Sequence, residues 1–297
     1  MARRGISIIG APSSAGAYAP GQEKAPAAWR RYGLVEALSR TGVSIRDRGD
    51  TPEFRWRPDL TRPKAMNLEA VADTARAVAD TVETALADGD AALVLGGDCT
   101  VELGTIAGAL RGGGSLGLIY LDFDADLNPP AESDGALDWT GVAHLLDIPG
   151  AEPLLASLGP RRPMLKADEV LFLAVENLTE GEKRTVAERN IAMIGMDEVH
   201  ADPRAAVGRA AEWASRFDRL AVHLDVDVLS FADFPIAENT RRCDGLHTEE
   251  LAALMRPLLT LPNWRALTLT EINPDHAPNE AESFGALINL IAGILPR

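Results

Sequence analysis

Eight short runs rich in apolar and β-branched residues recur along the chain: Ile6–Ile9, Val43–Arg46, Ala92–Leu95, Leu116–Leu121, Val170–Ala174, Ala192–Ile194, Leu220–Leu224 and Ala266–Leu269. Most are nearly continuous in apolar character, as strands buried on both faces must be. Stretches of helical periodicity separate them. The clearest starts at Asn67 and carries Val71, Ala75, Val78, Val82 and Leu86 before Gly89, a glycine placed where helices end. Others span 24–40, 100–110, 202–215, 247–258 and 283–294. Such alternation predicts an α/β fold, a parallel sheet with helices on both faces. Segments 48–66 and 128–165, rich in Pro, Gly and Asp, read as long loops. No break in composition divides the chain, so one domain over 1–297 is expected.

Composition narrows the function classes. No apolar run approaches the ~20 residues that span a bilayer, so no membrane partner is expected. Lys and Arg number 29 against 44 Asp and Glu, a net charge of −15, which argues against nucleic acid held through its phosphates. The same charge suits cationic metabolites and metal ions. The two cysteines, Cys99 and Cys243, cannot build a disulfide framework. Arg3-Arg4 before Gly5–Ile9 faintly suggests a leader, but Gly10-Ala11-Pro12 cuts the apolar stretch short. It reads as a first buried strand, and a cytoplasmic protein is expected.

In open parallel sheets, ligands bind at the carboxyl ends of the strands. Here Gly96-Gly97-Asp98-Cys99-Thr100 follows one run, and Asp122-Phe123-Asp124-Ala125-Asp126-Leu127-Asn128 another. Asp225-Val226-Asp227 and Thr270-Glu271-Ile272-Asn273-Pro274 follow two more. If the strands continued, Asp122, Asp124 and Asp126 would line one face, as would Asp225 and Asp227. So many carboxylates on one buried face repel unless protonated or neutralised by cations. Carboxylate-rich sites suit Mn, Mg or Ca. Five aspartates can hold two ions, and a pair about 3.5–4 Å apart is a known device for activating water.

This ordered set resembles the ureohydrolase superfamily of arginases, agmatinases and formimidoylglutamases, over nearly the whole chain, as a divergent arginase-like member. Ile8-Ile9-Gly10-Ala11-Pro12 with Gly21, Glu23 and Pro26 resembles the family's opening strand and loop. Gly96-Gly97-Asp98-Cys99 stands where the family has Gly-Gly-Asp-His, and Asp122-Phe123-Asp124-Ala125-Asp126 where it has Asp-Ala-His-x-Asp. Asp225-Val226-Asp227 matches Asp-x-Asp, and Glu271-Ile272-Asn273-Pro274 matches Glu-x-Asn-Pro. The resemblance implies a three-layer α/β/α sandwich around an eight-stranded parallel sheet. It also implies hydrolysis of a guanidino or formimino C–N bond at a dimanganese centre.

Carried over residue by residue, the resemblance gives one ion Cys99, Asp122, Asp126 and Asp225, and the other Asp122, Asp124, Asp225 and Asp227. Asp126 would pass a proton to the departing amine. Glu271 would pair with the substrate guanidinium. Thr140-Gly141-Val142-Ala143-His144 resembles Ser-Gly-Asn-x-His, which makes His144 a proton shuttle at the site's mouth. Asn128, Thr140 and Glu182 would join Glu271 in holding substrate. His223 reads as a core histidine, and His200, His247 and His276 receive no role. A homo-oligomer, trimer or hexamer, is implied as well.

Two metal-binding histidines of the family are replaced here by Cys99 and Asp124. Four aspartates and two imidazoles would set −4 against +4. Five aspartates and a thiolate set −6, a surplus that favours retained protons or another cation. Cysteine is also a soft ligand for Mn(II). The expectation is therefore unequal manganese occupancy, with the Cys99 site weaker or partly empty. The substrate side departs too: Asn177-Leu178-Thr179-Glu180-Gly181-Glu182 keeps one of three acids, and Glu238 lies within reach of the site. Arginine and a modified guanidine such as N-hydroxyarginine are both admissible substrates. The competing reading is a catalytically silent binding or scaffold protein with a degraded metal site.

Overall fold

A computed structural model describes residues 4–239 and 243–296. Eight parallel strands form one sheet: β1 (Ile6–Gly10), β2 (Ile45–Asp50), β3 (Ala91–Leu95), β4 (Leu116–Leu121), β5 (Val170–Leu173), β6 (Ala192–Ile194), β7 (Arg219–Asp225) and β8 (Trp264–Thr270). Their spatial order is β2-β1-β3-β8-β7-β4-β5-β6. This is the eight-stranded three-layer α/β/α sandwich. All eight sequence runs become strands. The largest shift is at β2, an edge strand whose Arg46, Asp47, Gly49 and Asp50 are exposed, so no buried apolar run marks it.

Successive side chains alternate between the two helical layers, as the period of a strand requires. Ile8 and Leu93 pack into one buried cluster; Ile9 and Val94 pack into the other. The helix Leu68–Ala87 buries Val71, Ala75, Val78 and Val82. It lies against the helix Val101–Arg111, where a Cβ on Gly104 would come 2.5 Å from the Ala75 carbonyl oxygen. The glycine permits that close crossing. Asn67 occupies the N-cap position of the first of these helices but makes no side-chain capping bond. It sits at φ 56°, and its amide instead donates to the carbonyls of Ala15 and Arg57.

The segment expected as one helix over 24–40 breaks into Ala25–Arg31 and Leu34–Ser39, separated at Gly33 with φ 93°. Helices Glu180–Arg189 and Met196–Ala201 were not foreseen. The first is almost wholly polar, so apolar periodicity could not reveal it. Among the described residues, no helix is long and apolar enough to cross a membrane.

Candidate metal centre

The four acid-bearing strand tips belong to β3, β8, β7 and β4, which are contiguous in the sheet. Their registers are level: Leu95 pairs with Leu269, Leu224 with Leu269, and Leu121 with Leu224. Neighbouring strands stand about 4.8 Å apart. The residues that follow these leucines therefore have to meet at one edge of the sheet.

The chain turns away there instead of continuing as strand. Asp225 ends β7, and its Oδ1 accepts the Asp227 N–H at 2.7 Å, which starts a short helical turn over Val226–Val228. Asp122 Oδ1 accepts the Asp124 N–H at 2.7 Å in the same manner. Asp126 adopts φ 50° and Glu271 φ 61°, left-handed conformations that cost a non-glycine residue about 1 kcal/mol or more. After β3 the chain passes so close to the first loop that a Cβ on Gly97 would lie 1.8 Å from the Ser13 carbonyl oxygen.

Two groups of ligand atoms result, and Asp122 belongs to both. The deep group is Cys99, Asp122, His223 and Asp225, all buried. The outer group is Asp122, Asp124 and Asp227. Asp122 Oδ2 is buried with no hydrogen-bond partner, a costly arrangement for a carboxylate that a cation would relieve. Cys99 Sγ stands 3.0 Å from Asp225 Oδ2, 3.5 Å from His223 Nε2 and 3.2 Å from Thr270 Oγ1.

So many buried acids are tolerated together only with protons retained or cations bound. Burial, then Asp225 and the other aspartates, pushes the Asp122 carboxyl well above its usual range. Burial likewise raises Asp126, against the opposing hydrogen bond from Tyr120. Burial followed by Asp225 raises Glu271, and the same two causes raise the Cys99 thiol. The outer group offers only oxygen and fits a hard divalent cation such as Mn(II) or Mg(II). The deep group, with sulfur and imidazole, does not fit the same description.

The expected residues fare unequally. Cys99, Asp122, Asp124, Asp126, Asp225, Asp227, Glu238 and Glu271 all line one cavity of about 560 Å³. Asp126 joins neither ligand group; its Oδ2 accepts the Tyr120 hydroxyl at 2.5 Å. The Glu271 carboxylate is held from behind, by the Cys99 N–H at 3.0 Å and the Gln22 amide at 3.0 Å.

Four residues are not brought to the cavity lining. His144 was expected at the mouth, yet it is fully buried in the short helix Gly141–Leu145. Its Nδ1 lies 2.6 Å from the Thr140 carbonyl oxygen, and burial lowers its pKa to about 4. The ring is neutral and enclosed, unsuited to carrying protons to solvent. The Thr140 hydroxyl donates to the Leu137 carbonyl. Glu182 accepts the N–H groups of Leu127 and Thr179, which makes it a helix-capping acid. Asn128 Oδ1 accepts the Thr179 hydroxyl at 3.0 Å.

Other residues supply the mouth. Tyr18 and Trp139 line it with Asp134 and Asp138, and both aromatic rings are substantially exposed. Burial and the nearby Glu238 carboxylate raise the Tyr18 hydroxyl above its ordinary value. His223, read as a core histidine, is fully buried; it also lies two residues before Asp225 on β7, points to the same side and so joins the deep ligand group. That parity was legible in the sequence.

A model described as "Arginase family" matches residues 4–295. The arginase of Bacillus caldovelox is 30% identical over 276 residues, 91% of this chain and 91% of its own. Arginase-1 of Rattus norvegicus is 29% identical, over 91% of this chain and 84% of its own. The native structure of the Bacillus caldovelox enzyme superposes with a TM-score of 0.89 and 27% identity, covering 99% of both chains.

Proposed function

The chain belongs to the arginase family, and from that premise we propose that it is a metal-dependent hydrolase of a guanidino C–N bond. The observation that carries this reading is the meeting of two ligand groups and the anchored Glu271 carboxylate in one cavity. Two divalent cations in such a centre supply Lewis acidity and make water a nucleophile near neutral pH.

The chain's own residues do the rest. Glu271 has one lone pair on each oxygen engaged by Gln22 and Cys99, which leaves its outer lone pairs for a planar guanidinium fork. Asp126, oriented by the Tyr120 hydroxyl, passes a proton to the departing amine. The rim carries Asp134, Asp138 and Glu238, and no Lys or Arg is among the described lining residues. Such a rim attracts a cationic substrate, arginine or a modified guanidine such as N-hydroxyarginine, and yields urea or a urea analogue. Manganese is proposed for the outer, all-oxygen group. A cytoplasmic homo-oligomer, trimer or hexamer, completes the proposal and is open to light scattering on the purified protein.

A metal-reconstituted panel of guanidino compounds, assayed for urea or amine release, tests the reading. Turnover of at least one compound, with kcat/KM reduced roughly 10–100-fold in Glu271→Gln, is expected. No turnover of any compound with two ions per chain demonstrably bound would favour the silent scaffold.

A further inference from the structure

We propose that the deep group is a zinc-selective site built on Cys99 and His223, with Glu102 as the carboxylate that orients the histidine. Four observations lead there. First, the donors are one sulfur, one imidazole nitrogen and two carboxylates, Asp122 and Asp225, all buried and mutually close. Mixed sulfur–nitrogen sets with four ligands are characteristic of zinc, and a thiolate is a poor partner for Mn(II).

Second, the sulfur–nitrogen spacing is already that of a chelate, while the Cys99 Sγ–Asp225 Oδ2 distance of 3.0 Å and the His223 Nε2–Asp122 Oδ2 distance of 4.0 Å would each adjust by roughly half an ångström on binding. With zinc–sulfur near 2.3 Å and zinc–nitrogen near 2.0 Å, a tetrahedral site separates sulfur and nitrogen by about 3.5 Å. Cys99 Sγ and His223 Nε2 stand 3.5 Å apart. His223 Nε2 is 4.0 Å from Asp122 Oδ2, the buried oxygen that has no hydrogen-bond partner.

Third, His223 is prepared for a metal on its Nε2 side. Its Nδ1 lies 3.4 Å from Glu102 Oε2, and Glu102 is itself buried in the first turn of the helix Val101–Arg111. In the tautomer with its proton on Nδ1, the ring donates to that carboxylate and turns the Nε2 lone pair toward Cys99 and the Thr270 hydroxyl, which lies 3.3 Å away. Metal-bound histidines are commonly oriented in this manner by a carboxylate behind the ring. The Tyr120 ring stacks on the imidazole at 4.1 Å with an interplanar angle of 1° and fixes its plane.

Fourth, His223 restores what position 99 lacks. The family resemblance places a histidine where Cys99 stands. In this chain the imidazole enters from β7 instead, so the deep site regains a nitrogen donor but keeps the sulfur. The result is a centre of two unlike halves, a soft zinc site and a hard site at Asp122, Asp124 and Asp227.

The inference deepens the hydrolase reading, but its test does not depend on turnover. The full-length protein is loaded with zinc, dialysed against roughly a hundredfold excess of manganese, and analysed for both metals. One zinc per chain is expected to remain. Cobalt(II) loaded in place of zinc should give tetrahedral visible bands and a near-ultraviolet sulfur-to-cobalt charge-transfer band. The band should persist in Cys243→Ser and vanish in Cys99→Ser. Glu102→Gln should weaken zinc affinity about 10–100-fold while leaving the charge-transfer band in place. Zinc displaced by manganese, a wild-type protein that binds cobalt without the charge-transfer band, or no cobalt binding at all would overturn the proposal. Zinc retained by a protein that turns over no guanidino compound would sink the hydrolase reading and leave this one standing.

Discussion

Cys99 Sγ and His223 Nε2 lie 3.5 Å apart, although 124 residues separate them in the chain. One ends the loop after β3 and the other points from the body of β7, and the sheet order places β8 between these strands. Thr270 at the tip of β8 completes the contact, its hydroxyl 3.3 Å from the imidazole. This pairing is what distinguishes the centre from one built on oxygen and imidazole alone.

Glu271→Gln removes one charge and keeps the shape. A hydrogen bond to a charged partner contributes about 1.5–3 kcal/mol, so kcat/KM should fall roughly 10–100-fold toward a guanidino substrate. Metal content should stay unchanged, because Glu271 joins neither ligand group. Steady-state kinetics beside metal analysis checks both halves. Unchanged kcat/KM in an active enzyme would remove Glu271 from substrate recognition.

The metal-free protein should lose stability as pH rises. Asp122 and Asp126 are held above their ordinary carboxyl range, chiefly by burial, whereas in the unfolded chain they titrate near ~3.9. Between those two values the unfolded state binds fewer protons, so each step up in pH favours unfolding. A cation replaces the protons and removes the penalty. Added divalent metal should therefore raise Tm more at pH 8 than at pH 5. An equal gain at both would contradict the assignment.

Gly97→Ala should destabilise the fold and the centre together. The added Cβ would meet the Ser13 carbonyl at 1.8 Å, a backbone contact that no side-chain rotation relieves. Overpacking of this kind costs about 1–3 kcal/mol or more, readable as a lower Tm and weaker metal retention. Gly208→Ala, inside the helix Pro203–Ala214 where a Cβ meets nothing within 4 Å, is the control and should leave Tm unchanged or slightly raised through helix propensity.

His144→Gln should leave the pH dependence of kcat unmoved near neutrality. The ring is enclosed, and its pKa is lowered by burial to about 4. A pH–rate profile whose neutral limb disappears in the variant would return His144 to proton transfer.

The sheet was legible because buried parallel strands must be apolar throughout, and the strand-tip acids were legible because each directly follows such a run. The edge strand β2 and the polar helix Glu180–Arg189 carry no such signature. At the site, Asp122, Asp124, Asp225 and Asp227 converge as their positions implied. What misled was local. Glu182 looks like a substrate acid in sequence but caps a helix and holds the Leu127 N–H. His144 lies in a segment similar to a functional motif, yet it falls on the buried side of a short helix. His223 was passed over because a histidine within an apolar run is ordinarily core. Its two-residue offset from Asp225 was the available signal. Glu102 and Gln22 touch the site only through packing that chain order does not reveal.

Anomalous scattering from crystals of the metal-loaded protein tests the central claim most directly. Two peaks are predicted in the one cavity, one among Cys99, His223 and Asp225, the other beside Asp124 and Asp227, with Asp122 between them. A single peak, or peaks away from these strand tips, would contradict a two-cation centre assembled by β3, β4, β7 and β8.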